Sequence, residues 1–379
     1  MLKYCTKCLY PNSKPDLWFD ENGVCAACLA YEKRTSVDWT ARRSAFEQLI
    51  QKHKSKDRSN YDCIVPVSGG KDSFFQVIKC LEFGLNPLCI NAVTDSLSEL
   101  GRRNLEALGR LGVDCIEVKY NPIVRRQLNA ICLRELGDIS WPEHVAIFTS
   151  PVRLATQLGI NLIIWGENPQ NEYGGPSKSE GTLHLDRRWL EEFGGLLGLR
   201  VSDLTHFEGI ERQHLIQYQY PDAQSLESTG VTGVFLGHFF PWDGLSNALI
   251  AQAYGLEVSP TLVEGSMANY ENLDNHQTGI HDYFKYLKFG FGRATDIACS
   301  HIRRGRLTRG DALKIVKARD GAYPSYCLGK PLSEILMEIG MEIQEFNEIC
   351  DRFTNKKIFL KNSNGELVFD EKRRPIMSS

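Results

Sequence analysis

The sequence predicts an α/β protein: a doubly wound parallel sheet, preceded by a four-cysteine module and followed by a helical C-terminal region. Three observations carry this reading. Between residues 61 and 166, short β-branched runs alternate with segments of helical periodicity, the pattern of a parallel sheet with crossover helices. Two C-x2-C pairs lie near the N-terminus, and from about Asp282 onward the pattern is mainly helical. Four segments follow: a cysteine module at 1–34, a helix and linker at 35–60, the α/β domain at 61–250, and a mainly helical region at 251–379 expected to contribute to the substrate site.

The cysteine module comes first. "YCTKC" supplies Cys5 and Cys8, and "VCAAC" supplies Cys25 and Cys28, giving C-x2-C-x16-C-x2-C, the spacing of a zinc ribbon. Each two-residue gap lets both thiolates of a pair reach one tetrahedral ion. "DENG" (20–23) supplies the turn before the second pair. Four thiolates close the shell around zinc, which makes the expected role structural. An iron–sulfur cluster takes the same number of ligands.

An amphipathic helix is expected at Asp38–His53, then a basic, polar linker. "YDCIVPVS" (61–68) reads as the first strand and "DSFFQVIKCLEFG" (72–84) as a helix stopped by Gly84. "NPLCINAVTD" (86–95) is the second strand, "SELGRRNLEALGRLG" (98–112) the next helix, and "VDCIEVKY" (113–120) the third strand. "EHVAIFTSPVRLATQLG" (143–159) reads as helix with a break before Pro151. "INLIIWG" (160–166) is the fourth strand. Residues 167–230 read as irregular, and "GVFLGHFFPWDG" (233–244) holds another buried strand. Thr308 and Ser333 are expected N-caps in the C-terminal region. Cys63, Cys80, Cys89, Cys115 and Cys132 fall on apolar elements and read as small core residues, and Cys327 is not read as a nucleophile.

Composition bounds the class. The 379 residues suit about two to three domains. Hydrophobic residues make up 42% and charged residues 24%, as in ordinary globular proteins. A net charge of −3 and a pI near 6.3 give no basic footprint, so no nucleic-acid partner is expected. No apolar run approaches the roughly 20 residues of a membrane span, so no membrane insertion is expected. "MLKYCTKC" is too polar for a secretion signal, and twelve cysteines without one point to a reducing cytoplasm.

The chemistry concentrates at "SGGKDS" (68–73), where the first strand turns into its helix. Gly69 and Gly70 let the backbone bend tightly and bring N–H groups close to a ligand. The helix aims its positive end at the same place. Lys71 adds a point charge and Ser73 a hydroxyl. The turn lies at the C-terminal end of a parallel strand, where open α/β sheets bind ligands. Its spacing excludes G-x-x-x-x-G-K-[ST] and G-x-G-x-x-G. Asp72 reads equally as a magnesium ligand or as a favourable acid in the first helical turn.

The string resembles the PP-loop of the N-type ATP pyrophosphatases. That resemblance implies that Ser68, Gly69, Gly70, Lys71, Asp72 and Ser73 hold the departing pyrophosphate of ATP while its α-phosphate is attacked. It also implies adenosine contacts from Asn91, Val93, Thr94 and Asp95 at the second strand end, and from Gly166 in "WGEN". For Asn91–Asp95 an ordinary strand–helix loop competes with that assignment.

Three further stretches narrow the resemblance: "WGENPQNEYGG" (165–175), "LDRRWLEEFGGLLGLR" (185–200) and "DYFKYLKFGFGRATDIACSHIRRGRLTRGDAL" (282–313). Together with the cysteine pairs and the PP-loop, they resemble the N-acetyl sugar amidotransferases of surface-polysaccharide and flagellar sugar biosynthesis. The resemblance covers nearly the whole chain and is loosest over 201–232. It implies an ATP- and magnesium-dependent enzyme, with structural zinc, that makes an acetamidino sugar for lipopolysaccharide O-antigen or a related glycan. The acetamido oxygen of a nucleotide-activated sugar would be adenylated, and ammonia would then displace AMP. Ammonia would come from a partner resembling the glutaminase subunit of imidazole glycerol phosphate synthase, with a cyclase-like protein as a further partner. The chain itself shows no Cys nucleophile with a His-x-Glu partner.

Glu167 is the expected residue for orienting the amide or accepting a proton, against a plain strand-end acid. Asn168, Tyr173, Gly174 and Gly175 form a polar, glycine-rich cluster beside it and are candidate sugar contacts. Lys288 and Arg293 are candidates for neutralising phosphates. Arg303 and Arg304 read as a solvated helix end, His301 as a surface or packed histidine, and His281 as an outlying candidate. Trp242 and Asp243 are placed near the sugar by position alone. Two rival readings compete: a tRNA-thiolating PP-loop enzyme, and a zinc ribbon tethered to a non-catalytic nucleotide-sensing domain.

Overall fold

The computed structural model describes residues 2–94, 96–167, 198–371 and 373–378. The chain opens with α1 (Ala26–Arg34) and α2 (Trp39–His53), the latter capped by Asp38, whose carboxylate accepts from Ala41 N. Then follow β1 (Cys63–Pro66), α3 (Lys71–Glu82), β2 (Pro87–Ala92), α4 (Glu99–Gly109) and β3 (Asp114–Val118). α5 (Pro122–Leu136) and α6 (Trp141–Leu158) lead into β4 (Leu162–Trp165). α7 (Ala223–Thr229) precedes β5 (Thr232–Phe235), and α8 (Gly244–Ala253) follows it. The C-terminal region holds α9 (Thr278–Phe289), α10 (Arg293–Arg303), α11 (Arg309–Arg319), α12 (Leu332–Glu338) and α13 (Ile343–Phe353).

The five strands pair in parallel in the order β3-β2-β1-β4-β5. Chain order therefore reverses between β1 and β4, and a doubly wound sheet binds its ligand outside the strand ends at such a point. The buried strands are near-continuous apolar runs because helices cover both faces. One core joins β1, β4 and β5 to α2, α3 and α8 through residues such as Phe46, Phe74, Val77, Ile164 and Trp242. Another packs the opposite face through Ile64, Ile90, Val152 and Ile163. Among the described residues no helix is long and apolar enough to cross a membrane.

Several expectations are corrected. α6 runs unbroken through Pro151. Its face from Val145 to Val152 is buried, and Ser150 Oγ donates to Ala146 O at 2.8 Å within the same turn, so packing holds the helix across the missing N–H. α5 lies where no element was expected, although Asn121 caps it, Pro122 opens it and Gly137 closes it in the left-handed region. Cys115 is exposed, because β3 is an edge strand whose first four residues face solvent. The other four strand and helix cysteines of that group are buried.

Residues 201–230, expected to be irregular, hold two 3-10 turns (Val201–His206 and Arg212–Tyr218) and α7. Thr308 caps α11, accepting from Asp311 N, but Ser333 lies inside α12, which Pro331 precedes. Beyond α13 the chain is not helical: bridges Phe359↔Met377, Lys361↔Leu367 and Phe369↔Pro375 fold the tail back on itself.

Candidate functional site

β1 ends at Pro66, and Val67 N continues the ladder to Ile90 O at 2.9 Å. The chain then turns sharply. Gly69 has φ +83°, and a Cβ there would meet Leu105 Cγ and backbone N at 3.0 Å, so both the conformation and the close approach demand glycine. Ser73 Oγ accepts from Ser68 N at 2.9 Å and ties the two ends of the turn together. Gly70 is the N-cap of α3, whose first N–H groups therefore point into the turn.

This turn forms one side of a cavity of about 190 Å³. The other side comes from distant sequence: Gly101 and Asn104 of α4, the segment Tyr270–Asp274, and Arg293 at the start of α10. Backbone pairing holds that wall in place. Ser98 N donates to Asp274 O and His276 N to Ser96 O, each at 2.9 Å. A Cβ on Gly101 would lie 2.6 Å from Asp274 Cα, so glycine alone lets the wall approach α4.

Charge in the cavity is paired. Lys71 Nζ lies 2.6 Å from Asp72 Oδ2 and 3.4 Å from Glu271 Oε1. Burial favours a neutral Lys71, but Asp72, Glu271 and Glu167 outweigh it and hold the ammonium form well above the ordinary lysine range. Asn247 Nδ2 donates to the other oxygen of Asp72 at 2.8 Å. Burial pushes the Asp274 carboxyl up to about 6. Arg293 reaches Asp282 with Nε at 3.1 Å and Nη2 at 3.0 Å.

A second cavity, about 40 Å³, adjoins the first and shares Lys71, Glu167, Tyr270, Glu271 and Arg293 with it. Trp242, Asp243, Ser300, His301 and Arg304 help to close it. Asp243 caps α8 and holds Arg304 at 3.1 Å and Arg306 at 2.5 Å. Burial would raise its carboxyl pKa, but Arg306, Ser246 and Arg304 bring it below the usual range.

Ser68, Gly69, Gly70, Lys71, Asp72, Ser73, Glu167 and Arg293 thus border one cavity. Gly166 stands behind it: its carbonyl accepts from Gly237 N at 3.1 Å, and a Cβ would meet Gln76 and Trp242. Asn91, Val93 and Thr94 are not among its lining residues. Asn91 Nδ2 donates to Val67 O at 2.8 Å, Val93 N to Val118 O at 3.0 Å, and Thr94 bonds Glu143. Asp95, Asn168, Tyr173, Gly174 and Gly175 lie outside the described residues.

Lys288 lies away from both cavities, because its position on α9 turns Nζ onto Leu136 O at 2.7 Å and over the Phe353 ring. Arg303 and Arg304 are not solvated, since α10 packs its C-terminal end against the cavity and the cysteine module. His281 pairs with Asp138 through Nδ1 at 2.8 Å. Asn104, Tyr270, Glu271, Asn272 and Asp274 went unnoticed in the sequence. The polar stretch "ANYENLDNHQTG" (268–279) was the available signal.

The four cysteines of the N-terminal module are fully buried or nearly so. Cys5 and Cys28 Sγ are 3.9 Å apart, Cys8 and Cys25 Sγ 3.6 Å, and all four fall within 4.8 Å of one another. The edge of a tetrahedron with Zn–S bonds of about 2.3 Å is about 3.8 Å, so the set fits one tetrahedral ion. Backbone N–H groups of Lys7, Cys8 and Cys25 donate to Cys5 Sγ at 3.2–3.4 Å, as a thiolate requires. Among the described residues this is the one such cluster of metal-binding type. The module packs on α10 and α11. Tyr10 OH donates to Asp296 Oδ1 at 3.0 Å, Leu9 N donates to Cys299 Sγ at 3.3 Å, and Arg309 Nε donates to Cys8 O at 3.0 Å.

Residues 264–373 match the family model described as "LPS biosynthesis protein WbpG-like, C-terminal domain". The C-terminal region is similar to that domain. This WbpG-like stretch supplies Tyr270–Asp274, Arg293, His301 and Arg304, that is, most of the wall facing the phosphate turn. No curated protein matches the chain. Among solved structures it is similar to an NMN synthetase from Francisella tularensis, with 13% identity over 51% of this chain and 92% of that one and a TM-score of 0.29.

Proposed function

We propose that this protein is an ATP-dependent synthetase of lipopolysaccharide biosynthesis. It adenylates the acetamido oxygen of a nucleotide-linked sugar and lets ammonia displace AMP, leaving an acetamidino group. The observation that carries the reading is the cavity itself: an S-G-G-K-D-S turn at the sheet's switch point faces a wall built from the WbpG-like region.

The chemistry suits these parts. An amide oxygen is a poor leaving group, and adenylation turns it into AMP. Ser68–Ser73 would hold the pyrophosphate, with Lys71 and the N-terminus of α3 meeting its charge. Magnesium, arriving with ATP, would balance the remaining phosphate charge. Glu167 and Arg293 border both the phosphate cavity and the smaller one, which supports a role for them in orienting the amide and the sugar nucleotide. The four-cysteine set would hold zinc in a structural role. Ammonia would come from a partner glutaminase of the imidazole glycerol phosphate synthase type, with a cyclase-like partner beside it, in the cytoplasm.

The thiolating rival needs a cysteine at the reacting face. None lines either cavity among the described residues. The decisive assay supplies ATP, magnesium and ammonium chloride with UDP- or CMP-linked acetamido sugars. Sugar-dependent AMP and pyrophosphate, with a product mass showing O replaced by NH, is the expected result. AMP formation that depends on tRNA and ignores sugars would refute the proposal, and no turnover with any sugar would favour a nucleotide sensor.

A further inference from the structure

The smaller cavity deepens this reading and rests on it. Its volume of about 40 Å³ is far too small for a nucleotide or a sugar. A cavity needs only about 10–15 Å³ to hold one water-sized molecule. It opens beside Lys71, Glu167 and Arg293, three of the residues it shares with the phosphate cavity. A molecule of the size of ammonia therefore has a polar chamber next to the phosphate turn.

One nitrogen base in that chamber is chemically idle. Lys71 is engaged by Asp72 and Glu271, Arg293 by Asp282, Asp243 by Arg304 and Arg306, and Asp296 by Lys285 and Tyr10. His301 is half-buried near the end of α10, and its imidazole has no hydrogen-bond partner among the described residues. We propose that the small cavity seats the nitrogen nucleophile and that His301 takes its surplus proton.

The step balances. Ammonia's nitrogen bonds to the carbon of the adenylated amide and becomes a cationic substituent. One N–H proton passes to the imidazole. The C–O bond then breaks, its electron pair leaves on AMP, and the amidinium remains. The acceptor must be neutral beforehand. Burial lowers the imidazole pKa, and Arg306 and Arg304 lower it further, while Asp243 and Glu271 oppose them. Across the chamber stand the Lys71–Glu271 pair and Glu167, and Arg293 and Asp296 lie on His301's own helix. The free base is therefore the form present at neutral pH.

The test uses the full chain, as His301→Gln and His301→Asn, with zinc content and thermal midpoint checked against wild type. Two reactions are measured: sugar-dependent ATP–pyrophosphate exchange, and amidine formation from saturating ammonium chloride. Amidine formation is expected to fall at least about a hundredfold more than exchange does, and the acidic limb of its pH profile to flatten. Leu245→Phe, which fills the chamber from its apolar side, should raise KM for ammonium more than tenfold. Equal losses in both reactions, an intact acidic limb, or an unaltered KM for ammonium in Leu245→Phe would overturn the assignment. A wild-type protein without exchange would overturn the ligase reading itself, whatever His301 does.

Discussion

The two sides of the phosphate cavity are built in opposite ways. One is a single hexapeptide, Ser68–Ser73, whose geometry follows from two glycines and a helix start. The other is assembled from α4, Tyr270–Asp274 and Arg293, parts separated by as many as 192 positions between Gly101 and Arg293. Under the proposed function the first side would hold phosphate. The second supplies Tyr270, Arg293 and the carboxylates Glu271 and Asp274. Specificity would then reside in the assembled side, which depends on tertiary packing in a way the turn does not.

Breaking the contiguous side should have the largest effect. Lys71→Ala removes the cation between Asp72 and Glu271. AMP formation is expected to fall about 10²–10³-fold, with zinc content by metal analysis unchanged. Next comes the assembled side. Gly101→Ala forces Asp274 away from α4, since its Cβ would lie 2.6 Å from Asp274 Cα. Overpacking of this kind costs about 1–3 kcal/mol, and a lowered midpoint in urea unfolding checks it.

A smaller effect separates the wall from its support. Burial opposes charge on both His281 and Asp138, but their contact wins, raising the histidine pKa and lowering that of the aspartic acid. The histidine's share of stability is complete below about pH 6.5 and fades as pH rises through its folded value. The aspartate's share is complete above about pH 3.9 and fades as pH falls through its own lowered value. His281→Asn should therefore lower Tm more near pH 5.5 than near pH 9, roughly the middle of that window against its far side. The smallest effect is at the sheet edge: Cys115→Ser should cost under about 0.5 kcal/mol. Cys89→Ser, fully buried on β2, should cost about 1–3 kcal/mol.

What was legible in the sequence follows the same division. The parallel sheet, the S-G-G-K-D-S turn and the paired C-x2-C spacing each reside in short windows, where pattern and turn chemistry act locally. α5 was legible too, through Asn121, Pro122 and Gly137 and through the buried Val124, Leu128 and Cys132 at four-residue spacing. Pro151 misled because a local cost was outweighed by burial of the helix face around it. Lys288 misled because charge type says nothing about which way a helix turns it. Glu271 and Asp274 were marked only by the polar stretch around them, 268–279, which matches no motif. Their roles arise only where Ser96 and Ser98 pair with the backbone of Asp274 and His276.

The hydrogen bond between Leu9 and Cys299, 290 positions apart, joins the N-terminal module to the C-terminal region. On a ribosome adding about 5–20 residues per second, the second partner emerges roughly 15–60 s after the first. The four cysteines are complete by residue 28, so the set that could hold a metal ion exists from that point on. The surface they then present, with Tyr10 at its centre, waits through the synthesis of the entire sheet before α10 exists to cover it. Closed by a metal ion, such an early segment would wait without unravelling, and α10 and α11 would find a finished bed on which to settle.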